Sequence, residues 1–143
     1  MDAYGHILVA VDLGPDCDPV ARRAADLAQR YGAGMSLIHV VENVPVEPGN
    51  ELMIPPTTSV ELELTETARV KLKAMGERLG VPAERQQVAL GQTKREILEY
   101  AEEHTVDLIV VGSHGRHGLA LLLGSTANAL LHGATCDLLA VRI

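Results

Sequence analysis

Tryptophan and phenylalanine are absent from this chain and tyrosine occurs only three times, which removes the aromatic platforms on which single-stranded nucleic acid stacks. The core must then be built from Val, Leu, Ile, Ala and Met. Basic charge is scarce as well: 12 Lys and Arg stand against 19 Asp and Glu, a formal net charge of −7. A chain of that sign repels nucleic acid phosphates and anionic membrane surfaces, so neither is an expected partner, although backbone donors can still hold a small anion. The two cysteines, Cys17 and Cys136, form no CxxC and are too few for a disulfide framework. They suit a reducing compartment and are expected to be passive. No stretch approaches about 18 uninterrupted apolar residues, and Met1 to His6 lacks the basic and apolar regions of a secretory leader. A soluble, cytoplasmic protein is expected. There is no G-x4-G-K-[ST], no G-x-G-x-x-G and no G-x-S-x-G, which weighs against an efficient NTPase, a dinucleotide enzyme and a serine nucleophile.

What is present alternates strand and helix signals. The 143 residues, 47% of them apolar, suit a single domain spanning 1–143. His6 to Asp12 is a short apolar run ending on a carboxylate, as in a strand buried on both faces. Asp16 or Asp18 can cap the next helix, with Val20, Ala24, Leu27, Ala28 and Tyr31 at helical spacing before Gly32 and Gly34. Met35 to Val41 reads as a second strand. Glu42 to Ser59, rich in proline and without a period, reads as the longest loop. A long amphipathic helix is signalled from Val60 to Gly80 by Leu64, Ala68, Leu72, Met75 and Leu79. Glu84 to Leu90 is a more polar strand suited to a sheet edge. Thr93, with Glu96 three residues on, reads as a capping box for a helix burying Ile97, Leu98 and Ala101. Val106 to Val111, a helix over Leu119 to Leu131, and Asp137 to Ile143 complete the alternation.

Parallel strands joined by right-handed crossovers give an open five-stranded α/β sheet with helices on both faces, in the flavodoxin-like order 3-2-1-4-5. Ligands of such sheets bind beyond the carboxyl ends of the strands, where the order reverses, here between strands 1 and 4. Two segments arrive there: Ala10-Val11-Asp12-Leu13 and Gly112 to Gly118. The second belongs to the stretch Val110 to Thr126, in which Gly112, Gly115 and Gly118 are followed by Gly124-Ser125-Thr126 at a helix start. Glycine-rich backbone and a helix N-terminus can hold a phosphate; alternatively the glycines only shape a strand-to-helix turn. Asp12 faces a ligand or caps a turn. His114 and His117 lack Cys or carboxylate partners nearby, so no metal is assigned to them, and Ser125 has no evident general base.

Three separated motifs carry a family resemblance. Tyr4-Gly5-His6-Ile7-Leu8-Val9-Ala10-Val11-Asp12, Ser36-Leu37-Ile38-His39-Val40, and Asp107-Leu108-Ile109-Val110-Val111-Gly112-Ser113-His114-Gly115-Arg116 with Gly124-Ser125-Thr126 resemble the universal stress protein family over essentially the whole chain. The resemblance implies the adenine nucleotide alpha hydrolase-like version of this fold and a cytoplasmic, commonly homodimeric protein made under growth arrest or stress. One branch of the family binds ATP; the A-type branch generally does not. The ATP-binding pattern is Gly, two residues, Gly, nine residues, Gly, then Ser or Thr. Here Gly112 and Gly115 match, but eight residues, Arg116 to Leu123, precede Gly124.

By that analogy Gly112, Gly115, Gly124, Ser125 and Thr126 would cradle phosphates, together with the intervening Ser113 and His114, and Arg116 would offset charge. Asp12, entered through Ala10 and Val11, would sit near the ribose or a phosphate-bound Mg²⁺, and Val40 or Val41 would line the adenine pocket. The reading is a non-catalytic stress-response homodimer that takes ATP as a sensor or regulator. A slow ATPase or phosphate-ester hydrolase using Asp12 and a nucleotide-free interaction module are the alternatives, and regulation of an unidentified protein partner leaves no mark in the sequence. The apolar terminal strand, Leu138 to Ile143, is expected to pair two copies and so hide its edge.

Overall fold

The computed structural model describes residues 4–14, 17–42, 59–113 and 125–143. The sheet comprises β1 (His6–Ala10), β2 (Gly34–Glu42), β3 (Gln86–Gly91), β4 (Leu108–Gly112) and β5 (Asp137–Val141), in the order β3-β2-β1-β4-β5. Every neighbouring pair is parallel. Helices α1 (Cys17–Tyr31), α2 (Ser59–Leu79), α3 (Thr93–Glu103) and α4 (Ser125–Gly133) fill the connections. The architecture is the one that the strand–helix alternation requires, with the polar strand β3 at one edge and β5 at the other.

Alternation along each strand sorts the core into two layers. Ile7, Val9, Met35, Leu37, Leu108 and Val110 pack on one face with Val20 and Ala24 of α1 and Leu72 and Met75 of α2. Leu8, Ile38, Ile109 and Val111 pack on the other with Ile97, Tyr100 and Ala101 of α3 and Ala127 and Leu130 of α4. Each fully buried aliphatic side chain contributes roughly 1.5–3 kcal/mol, and without Phe or Trp the layers are made almost wholly of such groups. Leu64, expected inside, is exposed, as are Val60, Leu62 and Val70. The buried stripe of α2 runs through Ala68, Leu72 and Met75, and only its later turns lie on the sheet. Tyr31 is also largely exposed, its ring meeting Tyr4 edge-on at 5.1 Å.

Caps and boundaries depart from expectation in physically clear ways. Thr93 is the first residue of α3; Gln92 holds the cap position and makes no side-chain cap bond. The Thr93 hydroxyl donates instead to Glu42 Oε1 at 2.6 Å, a long-range bond that outcompetes the local one. Asp18 lies within the first turn of α1 and accepts from Arg78 Nη2 at 3.3 Å; Asp16 is outside the described residues. β3 begins at Gln86, because Ala83–Arg85 form a single 3-10 turn. The loop residues 43–58 and the expected helix residues 119–124 lie outside the described residues.

Three helices end the same way. Ala33 N–H reaches Ala28 O, Val81 N–H reaches Gly76 O and Val106 N–H reaches Ala101 O, at 2.8, 2.8 and 2.9 Å. Such endings place the preceding residue in the left-handed region, which glycine occupies without strain. Gly32 (φ 65°) and Gly80 (φ 74°) do so, but after α3 the position is filled by Thr105 at φ 51°. A β-branched residue there carries a steric penalty of about 1–2 kcal/mol, partly offset by its lower entropy in the unfolded chain. Thr105→Gly should therefore raise stability by about 0.5–1 kcal/mol in urea unfolding; a loss of stability would show that the threonine is relaxed there.

Candidate functional site

The order reversal between β1 and β4 fixes where a crevice opens. Val9 with Val110 and Ala10 with Ile38 are the last pairs that β1 makes on its two sides, and Asp12 and Ser113 lie just beyond the ends of β1 and β4. At this level the chain leaves β1. Val11 N–H still donates to Ile38 O at 2.9 Å, and the Val11 carbonyl accepts from His39 Nδ1 at 2.7 Å. Asp12, half-buried, uses Oδ1 to accept the Gly14 N–H at 2.9 Å, an Asx turn. Between them Leu13 stands at φ 61°, a conformation costing a non-glycine residue roughly 1–2 kcal/mol. Strained backbone of this kind persists where neighbouring bonds over-determine it.

On the other side of the reversal Gly112 ends β4 opposite Val141. Ser113 is buried, its N–H donating to Val141 O at 2.7 Å and its Oγ accepting from Ile143 N–H at 3.4 Å. The final residues of the chain thus hold the first step of the glycine stretch. Thr126 is half-buried in the first turn of α4. Val41 is buried, and Val40 and Ala10 pack partly against the α3/α4 layer. Ala10, Val11, Asp12, Val40, Val41, Gly112 and Ser113 therefore come together at the carboxyl ends of β1, β2 and β4. His114, Gly115, Arg116, His117 and Gly124 lie outside the described residues, as does the side chain of Ser125.

Two features were not singled out by motif reading. His39 was part of a strand signature without a role of its own; the usable signal was a titratable residue inside an apolar strand run. Ser36 is wholly buried on β2, with His6 Nε2 2.7 Å from its Oγ and His6 Nδ1 3.0 Å from the His104 carbonyl. This resembles a nucleophile, a base and an orienting acceptor, but Ser36 is fully enclosed and lies toward the amino ends of the strands, away from the crevice. The pair serves as a buried hydrogen-bonded strut. Among the described residues there is no group of three or more His, Cys, Asp or Glu able to hold a metal, and no helix long and apolar enough to cross a membrane.

Sheet order and winding define a protein of the adenine nucleotide alpha hydrolase-like fold, with its strand order reversing between β1 and β4. The model of the universal stress protein family matches residues 3–142. Universal stress protein A homolog 1 of Coxiella burnetii is 46% identical over 138 residues, which cover 96% of each chain. Universal stress protein UspA from Lactobacillus plantarum shares the fold at TM-score 0.79 and 24% identity, covering 99% of this chain and 100% of that one. A universal stress protein solved in complex with cAMP superposes at TM-score 0.69 and 22% identity, covering 99% and 98%. The chain belongs to the universal stress protein family.

Cys136 bears on the expectation of passive thiols. It packs partly against the α3/α4 layer, and burial, followed by the neighbouring Asp137 and Asp107 carboxylates, pushes its pKa above the usual thiol value. Because the thiolate is the reacting form, a raised pKa leaves less of it at any pH below that value. Alkylation of Cys136 by iodoacetamide at about pH 8 should lag that of a free thiol peptide and keep rising at higher pH. An equal or faster rate, read by site-resolved mass spectrometry, would contradict this environment.

Proposed function

We propose that the chain is a single-domain, homodimeric stress-response protein that takes an adenine nucleotide into the β1/β4 crevice and works as a sensor or regulator rather than a catalyst. The topology carries this reading: Asp12 and Ser113 lie just beyond the ends of β1 and β4, where the strand order reverses, beside β2 with Val40. The described residues fit such a ligand. Asp12 offers a half-buried carboxylate with one oxygen committed to the turn, so its other oxygen would accept from ribose hydroxyls or approach a phosphate-bound Mg²⁺. Val40 or Val41, which point to opposite faces of β2, would line the base. Ser113 gives its N–H to Val141 O, so backbone donors of the glycine stretch beyond it and of Gly124 to Thr126 would meet the phosphates, with Arg116 offsetting their charge. The relative solved with cAMP supports an adenine nucleotide as the class of ligand.

ATP, when bound, supplies a polyphosphate whose presence or absence can be read by a partner; the protein's part is to orient and enclose it. The eight residues between Gly115 and Gly124 favour the second reading, a nucleotide-free interaction module. Titration calorimetry with Mg²⁺-ATP and with cAMP separates them: heat with either supports the nucleotide reading, and silence with both overturns it. Asp12→Asn keeps the Oδ1 acceptor for Gly14 and should weaken binding about 10- to 100-fold, the range for losing a hydrogen bond to a charged group. Turnover abolished in Asp12→Asn would instead support the hydrolase alternative.

The homodimer reading rests on β5. It is an edge strand whose Leu138, Leu139, Ala140 and Val141 are half-buried, with Ile143 exposed. An apolar edge of this kind presents unpaired backbone groups that a second copy can satisfy. Gel filtration should give twice the 15.3 kDa chain mass, and a stable monomer would refute pairing at Leu138 to Ile143.

A further inference from the structure

We infer that His39 is a positioning residue of the crevice: its Nδ1 proton, donated to the Val11 carbonyl, holds the turn that presents Asp12. The inference rests on the nucleotide reading above for its functional consequence, but its structural basis is independent of any ligand. β1 ends as a strand at Ala10, yet the chain is not released there. Val11 N–H makes one more bond to β2, to the Ile38 carbonyl. The Val11 carbonyl then meets the imidazole of the next β2 residue, 2.7 Å away. A carbonyl can only accept, so Nδ1 must carry the proton, and in the neutral ring Nε2 is left as the acceptor nitrogen. The ring therefore supplies a donor at the point where the backbone turns out of the sheet, and a main-chain acceptor stays satisfied.

The conformation of residues 12–14 depends on that anchor. Within three residues of Val11 the chain passes through the left-handed Leu13 and closes the Asp12–Gly14 turn. A strained residue needs both flanks fixed; the Asx turn fixes the far flank and His39 the near one. Because His39 is followed directly by Val40 on β2, the same ring also ties the strand proposed to flank the base to the segment carrying Asp12. His39 acts through Val11 and Asp12 rather than by touching a ligand, which sets it apart from the residues assigned to the nucleotide.

Three measurements on the full chain test this. In the wild-type protein, ¹⁵N NMR of the His39 ring should show Nδ1 protonated; the opposite neutral tautomer would overturn the inference without any variant. His39→Leu removes the donor while keeping an apolar body, and His39→Asn places an amide N–H near the position of Nδ1. Without ligand, exchange of the Gly14 amide should quicken at least about tenfold in His39→Leu, beyond any change in global urea stability, and return toward wild type in His39→Asn. Mg²⁺-ATP affinity should follow the same order, with about a tenfold loss in His39→Leu. Unchanged Gly14 exchange, or an asparagine variant no better than leucine, reduces His39 to packing and overturns the role. If wild type binds no nucleotide, the functional reading fails, while tautomer and exchange still decide whether His39 holds the turn.

Discussion

Backbone hydrogen bonding at the centre of the sheet is the constraint on which the rest depends. β1 is paired on both sides, with β2 and with β4, so its main-chain groups are satisfied along its length. The chain leaving β1 goes to the α1/α2 face, whereas the chain leaving β4 leads to α4 on the other. Past Val9 and Val110 the pairing of β1 with β4 ends, and that ladder no longer satisfies what the two chains carry. Each polar group there must find another partner. Val11 finds Ile38 and His39, Asp12 finds Gly14, and Ser113 finds Val141. A crevice with polar backbone at its mouth is thus a by-product of the winding, and the side chains at those few positions decide what it can hold.

The two ends of the sheet are secured differently. At the amino ends, Asp107 accepts from the N–H groups of Gly5 and His6 at 2.7 and 2.9 Å, Tyr4 donates to Asp137 at 2.7 Å, and His6 links Ser36 to the His104 carbonyl. Most of these bonds join residues about a hundred positions apart, and they close that end with side chains. At the carboxyl ends the ties are shorter in reach or run through main chain, as in the Asp12–Gly14 turn. Long-range side-chain bonds thus gather at one end and the proposed binding positions at the other, the division expected when a rigid scaffold positions ligand-contacting loops.

Much of this was legible in the sequence, for reasons that can be named. Apolar runs such as His6 to Asp12 and Val106 to Val111 are too short for helices and read as doubly buried strands, and their alternation with helical periods leaves little choice of topology. Asp12 stood out because it ends such a run. Long-range side-chain bonds were not legible: nothing local tells that Thr93 prefers Glu42 to its own helix cap, or that Ser36 is enclosed with His6. Thr105 was invisible for a related reason, since its left-handed geometry arises from how α3 must turn into β4 rather than from its own preference. Leu64 misled because helical periodicity marks a face without saying how far along the helix the sheet extends.

The link between Ser113 and the end of the chain joins two readings that sequence treats separately. Ser113 is the first residue past β4 on the path into the glycine stretch, and it is bonded to Val141 and Ile143, which belong to the edge on which the proposed dimer rests. Among the described residues β5 pairs on one side only, with β4. A second copy pairing along the free side would restrain Val141 and, through one main-chain bond, the first residue of the proposed phosphate-binding segment. Conversely, a ligand held next to Ser113 would restrain the edge strand through the same bond. Such coupling requires only that both events bias the same contact, and the Ser113–Val141 bond is the contact the two proposed events would share.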